Sequence, residues 1–494
     1  MAPLTTASSF DHQLAVIGTG FGGLAMAIRL KAEGMEDFVL LEGAEGVGGT
    51  WRENTYPGCA CDIPSQLYSF SFAPNPDWTR AFPSQPEILA YLRNCVAHYK
   101  LTPYIRYQSK VQQLAFDAEL GGWRIQLEGR PPMKVRMVVV ATGQLSRPSV
   151  PALTGLEDFA GRSFHSARWP EDIDLRGKRV AVVGTGASAI QIVPSIVEQV
   201  EQLDLYQRTP PWVMPRPDRP ISSLEKWLFK KLPFTQALSR HLIYWRLEAT
   251  IGGFTGQHWI TKIAEQAARL HLKRQVPDLE LRQALRPSYQ MGCKRVLVSN
   301  DYYPALLRPN ARLITEGLDR IKSHHMVLKN GEERATDVLI LATGFRAADF
   351  LTGIRIKGLG GRELMDDWAS KGPEAYYGIT VSGYPNLCFM MGPNTNLGHN
   401  SIIHMLESQA NYILEYWKIV QKGPKRMLNL KAEVQQSFNQ RLQKRLRRSI
   451  WQQGGCASWY QNAEGRNTLM WPGSTVAYRW QTRRARPEDY QLEP

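Results

Sequence analysis

The pattern of apolar and polar positions divides the chain into segments of distinct kinds. Two stretches share one order of elements: "QLAVIGTGFGGLAMAIRLKAEGMEDFVLLE" at 13–42 and "KRVAVVGTGASAIQIVPSIVEQVEQLDLYQR" at 178–208. Each opens with a short β-branched apolar run, as buried parallel strands do, then reads as Gly-rich turn, helix and strand. The two units begin about 165 residues apart, and no shorter tandem repeat lies behind them. Further strands are predicted at 137–143, 337–344 and 386–392, each closed by a glycine turn where a doubly wound sheet presents loops to ligands. Between 221 and 285 the period changes. "SSLEKWLFKKLPFTQALSRHLIYWRLEAT" and "WITKIAEQAARLHLKR" have the spacing of amphipathic helices and read as a helical insertion whose apolar faces form core or a lid. "SIIHMLESQANYILEYWKIVQKG", 401–423, predicts a long helix ending at Gly423.

Composition adds bounds. The 494 residues are enough for two or three domains, and 43% apolar residues with 14 Trp fit a globular chain. No apolar run reaches the ~18 residues of a membrane span. The start, "MAPLTTASSFDHQ", lacks the features of a signal peptide, so a cytoplasmic location is expected, with no integral membrane segment. Cysteines 59, 61, 95, 293, 388 and 456 form no CxxC pair and are read as free thiols. No His, Cys and carboxylate spacing suits a metal. A net charge of +15 without a recognition module argues against nucleic acid. It leaves a solvated basic surface, a polyanionic cofactor or an anionic membrane surface.

Candidate chemistry begins at the turns. Gly18, Gly20 and Gly23 form a G-x-G-x-x-G between strand and helix, where backbone must approach a pyrophosphate at the helix N-terminus. Glu42 ends the next strand, 24 residues after Gly18, and can accept hydrogen bonds from ribose hydroxyls. That predicts the ADP half of FAD. In the second unit Gly184 and Gly186 are followed by Ala189, a tolerated change because the third position serves helix–strand packing. Counting 24 residues from Gly184 reaches Arg208. A guanidinium there can bind a 2′-phosphate that a carboxylate would repel, so the second site should prefer NADPH, with Arg208 and Thr209 on the phosphate. With no CxxC to receive electrons from the flavin, O2 is the expected acceptor.

Two longer motifs carry a resemblance. "FAGRSFHSARWP" at 159–170 fits F-x-G-x-x-x-H-x-x-x-W-[PD] through Phe159, Gly161, His165, Trp169 and Pro170. "GGTWRENTYPGCACD" at 48–62 fits [AG]-G-x-W-x-x-x-x-[FY]-P-[GM]-x-x-x-D through Gly48, Gly49, Trp51, Tyr56, Pro57, Gly58 and Asp62. On these residues the chain resembles type I Baeyer–Villiger monooxygenases of the flavin-containing monooxygenase superfamily. Related N- or S-oxygenating enzymes, the alternative, usually carry Tyr or Phe where Trp169 stands. The resemblance implies that a C4a-peroxyflavin inserts one oxygen atom of O2 beside a ketone carbonyl, giving an ester or lactone. It implies Arg295 as the catalytic arginine, Asp62 as its partner, and Lys294 on the NADPH phosphate. Thr50, Trp51, Tyr68 and Val111 are then FAD contacts. Thr185, Gly186, Ser188, Ala189 and Gln191 lie in the NADP pyrophosphate loop, and Asn394 and Thr395 meet the flavin. His165 is expected to couple domain movement, not to act in acid–base chemistry; His399 and His404 are expected to be structural.

The predicted fold is α/β, with two Rossmann-type dinucleotide-binding domains and a helical insertion. Residues 1–150 would be the first part of the FAD domain, 151–178 a linker carrying the family motif, and 179–220 the first part of the NADP domain. The insertion would span 221–288, with 289–345 returning to the NADP domain. Residues 346–494 would complete the FAD domain and add C-terminal helices.

Overall fold

The computed structural model describes residues 10–423, 427–456, 458–462 and 464–493. Two separate sheets organise them, the first mixed, with Gly122–Leu127 antiparallel to both its neighbours, and the second all parallel. The first runs, edge to edge, through Arg355–Lys357, Val111–Asp117, Gly122–Leu127, Met133–Val140, His12–Ile17, Phe38–Leu41 and Ile105–Arg106. Leu387–Phe389 pairs in parallel with the C-terminal half of Met133–Val140, beyond the point where Gly122–Leu127 leaves it. Its centre, Leu14–Val16 and Met137–Val139, is fully buried, so these strands carry apolar residues on both faces. Helices Phe21–Ala32 and Ile402–Val420 pack against one another beside this sheet. The long helix stops three residues before Gly423.

The second sheet has the order Ala311–Ile314, Gln202–Tyr206, Arg179–Val183, Val338–Leu341, Arg162–His165, all parallel. Helix Ala189–Ile196 follows its Gly184 turn. In both sheets the strand order reverses beside the glycine-rich turn, which opens a crevice at the carboxyl ends of the strands.

Two expectations need correction. The stretch 151–178 is not a plain linker: Arg162–His165 is the edge strand of the second sheet, in register with Val338–Leu341. Phe159 anchors a small core with Tyr206, Ile321 and Leu339, and a Cβ on Gly161 would strike the carbonyl of Asp337. Trp169 packs edge-on to Phe164 at 5.1 Å. The motif's aromatic residues are thus packed against the sheet. The insertion also differs from expectation. Its helices Ser223–Lys231, Pro233–Glu248 and His258–Gln275 exist, but much of their apolar surface faces outward and is not core. Among the described residues no helix is long and apolar enough to cross a membrane.

Candidate active site

One continuous cleft of about 1940 Å3 joins the two glycine-rich turns. That exceeds the ~300–1,000 Å3 of an ordinary small-molecule pocket. At one end lie Gly18, Gly20 and Glu42, with Thr50, Trp51, Tyr68 and Val111 beside them. Glu42 is held ready: Oε2 accepts from the Thr19 backbone N–H at 2.9 Å and from its hydroxyl at 2.5 Å, and Oε1 accepts from Ala44 N–H at 2.9 Å. Trp51 Nε1 donates to the Tyr68 hydroxyl at 3.0 Å, which fixes both rings on the cleft wall. Gly23 is outside the cleft. A Cβ there would strike the carbonyl oxygen of Gly18, so its work is close packing of helix on turn.

At the other end lie Thr185, Gly186, Ser188, Gln191, Arg208, Thr209 and Lys294. A Cβ built on Gly186 meets nothing within 4 Å, which leaves open cleft beside the helix N-terminus where a diphosphate fits. Arg208 is exposed, and Lys294 sits 5.1 Å over the Tyr289 ring. Burial draws the Lys294 ammonium below its usual range, and the neighbouring Arg208 charge adds to this. Two cations crowded in this way suit an added dianion. Ala189 is fully buried on the helix and contributes packing, not a contact to the cleft.

Between the two ends stands Arg295. Its Nε donates to Asp62 Oδ2 at 2.6 Å and its second terminal nitrogen to Oδ1 at 2.7 Å, a bidentate pair across 233 residues of sequence. The side chains remain 35% and 25% exposed toward the cleft. Burial alone would push the Asp62 carboxyl up, but the Arg295 charge and its hydrogen bonds outweigh this and hold it below the ordinary range. The same carboxylate raises Arg295, which is a permanent cation in any case. Arg216 adds a second positive charge on Asp62 and donates to the Cys61 carbonyl at 3.4 Å. Burial pushes the nearby Tyr460 hydroxyl up to about 12, with Arg295 acting against it.

The loop 48–62 also seals the joint between the sheets. The Tyr56 hydroxyl donates to Gln191 Oε1 at 3.0 Å, and Gln191 Nε2 donates to the Ala60 carbonyl at 3.0 Å. Gly58, at φ +79°, lies so near the helix that a Cβ would stand 2.8 Å from the Gln191 carbonyl oxygen. From the motif at 159–170 only Arg168 reaches the cleft, and it donates to Glu53 at 2.8 Å. His165 is buried: Nδ1 accepts from Ala167 N–H at 3.1 Å, the ring lies edge-on to Phe345, and burial pushes its pKa down. Phe159, Gly161, His165, Trp169 and Pro170 all lie off the cleft.

Asn394 and Thr395 are not where the sequence placed them. Asn394 Nδ2 donates to the carbonyls of Asn467 and Met470, and the Thr395 hydroxyl to that of Gly392. Both are buried, and the cleft wall is built instead from Asn396, Leu397, Asn400 and Ile402. Asn394 holds φ +57°, so its side chain locks a turn from which the next residues project. Cys293 and Cys456 are disulfide-bonded, against the expectation of free thiols; Cys59, Cys61, Cys95 and Cys388 are free and buried.

Sequence reasoning also missed Glu248. This buried carboxylate accepts from Thr475 N–H at 2.6 Å, the Thr475 hydroxyl at 2.8 Å, Asn400 Nδ2 at 2.7 Å and His399 Nε2 at 3.3 Å. It ties the insertion to the cleft wall and to the C-terminal region. Burial works to raise its pKa, but these hydrogen bonds win and set it at about 2, below the ordinary 4.5. A depressed carboxylate stabilises the fold fully above about pH 4.5 and loses that contribution as pH falls toward 2. The difference is worth about 3 kcal/mol. Glu248→Gln is therefore expected to lower the urea midpoint at about pH 7, to keep less than half of that deficit at about pH 3, and to converge with the parent only below about pH 2. Parallel curves at both pH values would remove this role.

Comparison with known proteins gives a consistent picture. Residues 11–352 match the model of the FMO-like family, flavin-binding monooxygenase-like. A Pseudomonas aeruginosa protein named Baeyer–Villiger monooxygenase is 47% identical over 99% of this chain and 93% of its own length. One of the same name from Streptomyces coelicolor is 46% identical over 97% and 92%. Among solved structures, an oxidized steroid monooxygenase bound to NADP superposes with TM-score 0.85 at 27% identity, covering 95% of this chain and 97% of that one. Cyclohexanone monooxygenase from Rhodococcus sp. Phi1 bound to NADP+ gives 0.85 at 25%, covering 98% and 99%.

Proposed function

The chain belongs to the flavin-binding monooxygenase-like family, and we propose that it oxidises ketones to esters or lactones in a cleft assembled around Arg295. It is a flavoprotein monooxygenase of Baeyer–Villiger type that uses FAD and NADPH. The observation that carries the site assignment is the Arg295–Asp62 pair, set in one cleft between two dinucleotide loops. The balance is ketone, O2, NADPH and a proton in; ester, water and NADP+ out.

When bound, FAD supplies the redox chemistry, taking hydride from NADPH and activating O2. The protein does the rest. Glu42, with both oxygens already positioned, takes the ribose hydroxyls of the flavin nucleotide. Thr185, Gly186 and Ser188 line the cleft and would hold the coenzyme diphosphate, with Arg208, Thr209 and Lys294 placed to take its 2′-phosphate. Arg295 faces the carbonyl oxygen and stabilises the negative charge that develops there; it donates hydrogen bonds and keeps its protons. Asp62 holds the guanidinium fork in one orientation by two hydrogen bonds. His165, buried behind Arg168 and the Glu53 contact, transmits domain position and takes no part in proton transfer. We place the protein in the cytosol, with the NADPH pool that the reaction consumes.

The direct test is product identity. The yellow protein, given NADPH and a panel of aliphatic, cyclic and aryl ketones, should yield esters or lactones by mass spectrometry. Oxidised amines or sulfides with no ester from any ketone would overturn the reading.

A further inference from the structure

Helix Pro233–Glu248 is built inside out. Its protein-facing side carries Gln236 and Arg240. Gln236 Nε2 donates to Gln66 Oε1 and to the Asn75 carbonyl at 2.7 Å each, and Arg240 donates to the carbonyls of Gln66 and Ser69 at 2.8 and 2.9 Å. Its outward side carries Phe234, Leu238, Leu242 and Trp245, between 56% and 65% exposed. Their spacing places them on one stripe. A helix facing water alone carries the reverse arrangement. Here a cation is desolvated beneath the helix while four large apolar side chains point out.

The surface continues. Leu224 and Trp227 are exposed on the preceding helix, which packs against this one. Val476 and Trp480 are exposed on helix Thr475–Gln481, which the Tyr244–Thr475 hydrogen bond joins to the stripe at 2.8 Å. The charges around them are largely positive. Lys231, Arg246, Arg479 and Arg483 are exposed, and Arg483 lies 5.1 Å over the Trp480 ring. The acids of these three helices are otherwise engaged: Glu225 pairs with Arg219, and Glu248 is buried in its own network.

We propose that this face docks on an anionic phospholipid surface. Exposed Trp and Phe with a Lys and Arg rim suit the headgroup boundary, where rings bury and cations meet phosphates. A second copy of the chain fits less well, because a two-fold pairing would set one basic rim against the other. The docking helix ends at Glu248, which holds Asn400 on the cleft wall, so the membrane-facing side adjoins the site. An apolar ketone dissolved in lipid would then have a short route to it.

The test uses the FAD-loaded protein and sedimentable vesicles. It should pellet with vesicles of equal phosphatidylglycerol and phosphatidylcholine and stay in solution with phosphatidylcholine alone. The combined variant Leu238→Ser, Leu242→Ser, Trp245→Ser should partition on the order of a hundredfold less. Its flavin content and its rate on a water-soluble ketone should be unchanged, which separates lost docking from lost folding. No pelleting, or equal pelleting with both lipids, overturns the proposal. So does a solution dimer that the triple variant converts to monomer, which would make the face an interface between copies. None of these failures touches the oxygen-insertion reading.

Discussion

Arg295→Ala is expected to give a protein that remains yellow and still oxidises NADPH, yet forms ester slower by roughly 10²–10³-fold or more. The reasoning rests on position. Arg295 lies between the two cofactor ends of the cleft and is held there by both oxygens of Asp62. An aligned cation acts most on charge that exists only in the transition state, so its loss should fall on kcat and leave binding of flavin largely intact. Arg295→Lys should rescue little, because an ammonium cannot reproduce the two-pronged pairing. Asp62→Asn tests the partner: it keeps the shape but loses the charge that orients the fork, and a smaller decrease is expected. Quantifying ester against NADPH consumed is the decisive measurement. Ester formation at parental rate in Arg295→Ala would refute the assignment.

The second large effect concerns the coenzyme. Arg208→Ala combined with Lys294→Ala should raise the KM for NADPH by roughly 10²–10⁴-fold, since each charge-assisted phosphate contact is worth about 1.5–3 kcal/mol. The KM for NADH should hardly move, because NADH has no 2′-phosphate. Arg208 alone should account for the larger part: it is the exposed member, whereas Lys294 is half-buried against Tyr289. Steady-state kinetics with both coenzymes checks this. An unchanged ratio would move the phosphate site elsewhere, for instance toward Lys329, which also lines the cleft.

The parts of the site legible in the sequence are those that depend on neighbours along the chain. Gly18, Gly20 and Gly186 sit in turns fixed by the strand before and the helix after, and Glu42 and Arg208 close the next strands. Counting residues was therefore enough to place them on one cleft. Asn394 and Thr395 failed because a helix-preceding loop says nothing about which of its side chains turn inward. Asn394 takes a left-handed backbone and spends its amide on the 467–470 segment, so Asn396 and Leu397 reach the cleft instead. The pairing of Asp62 with Arg295 was visible only through family resemblance, since 233 residues separate them.

By itself the sequence determined two Rossmann units, because strand, turn and helix within about thirty residues obey local sterics and periodicity. Tertiary structure alone decided what faces what. Amphipathic spacing in 233–248 shows that the helix has two faces, but only packing against Gln66 and Ser69 turned the polar one inward. Likewise only the fold brought Cys293 to Cys456 and Glu248 to Asn400 and Thr475. Contacts between residues distant in the chain depend on how whole sheets and helices dock. A one-dimensional pattern of hydrophobicity carries no record of that docking.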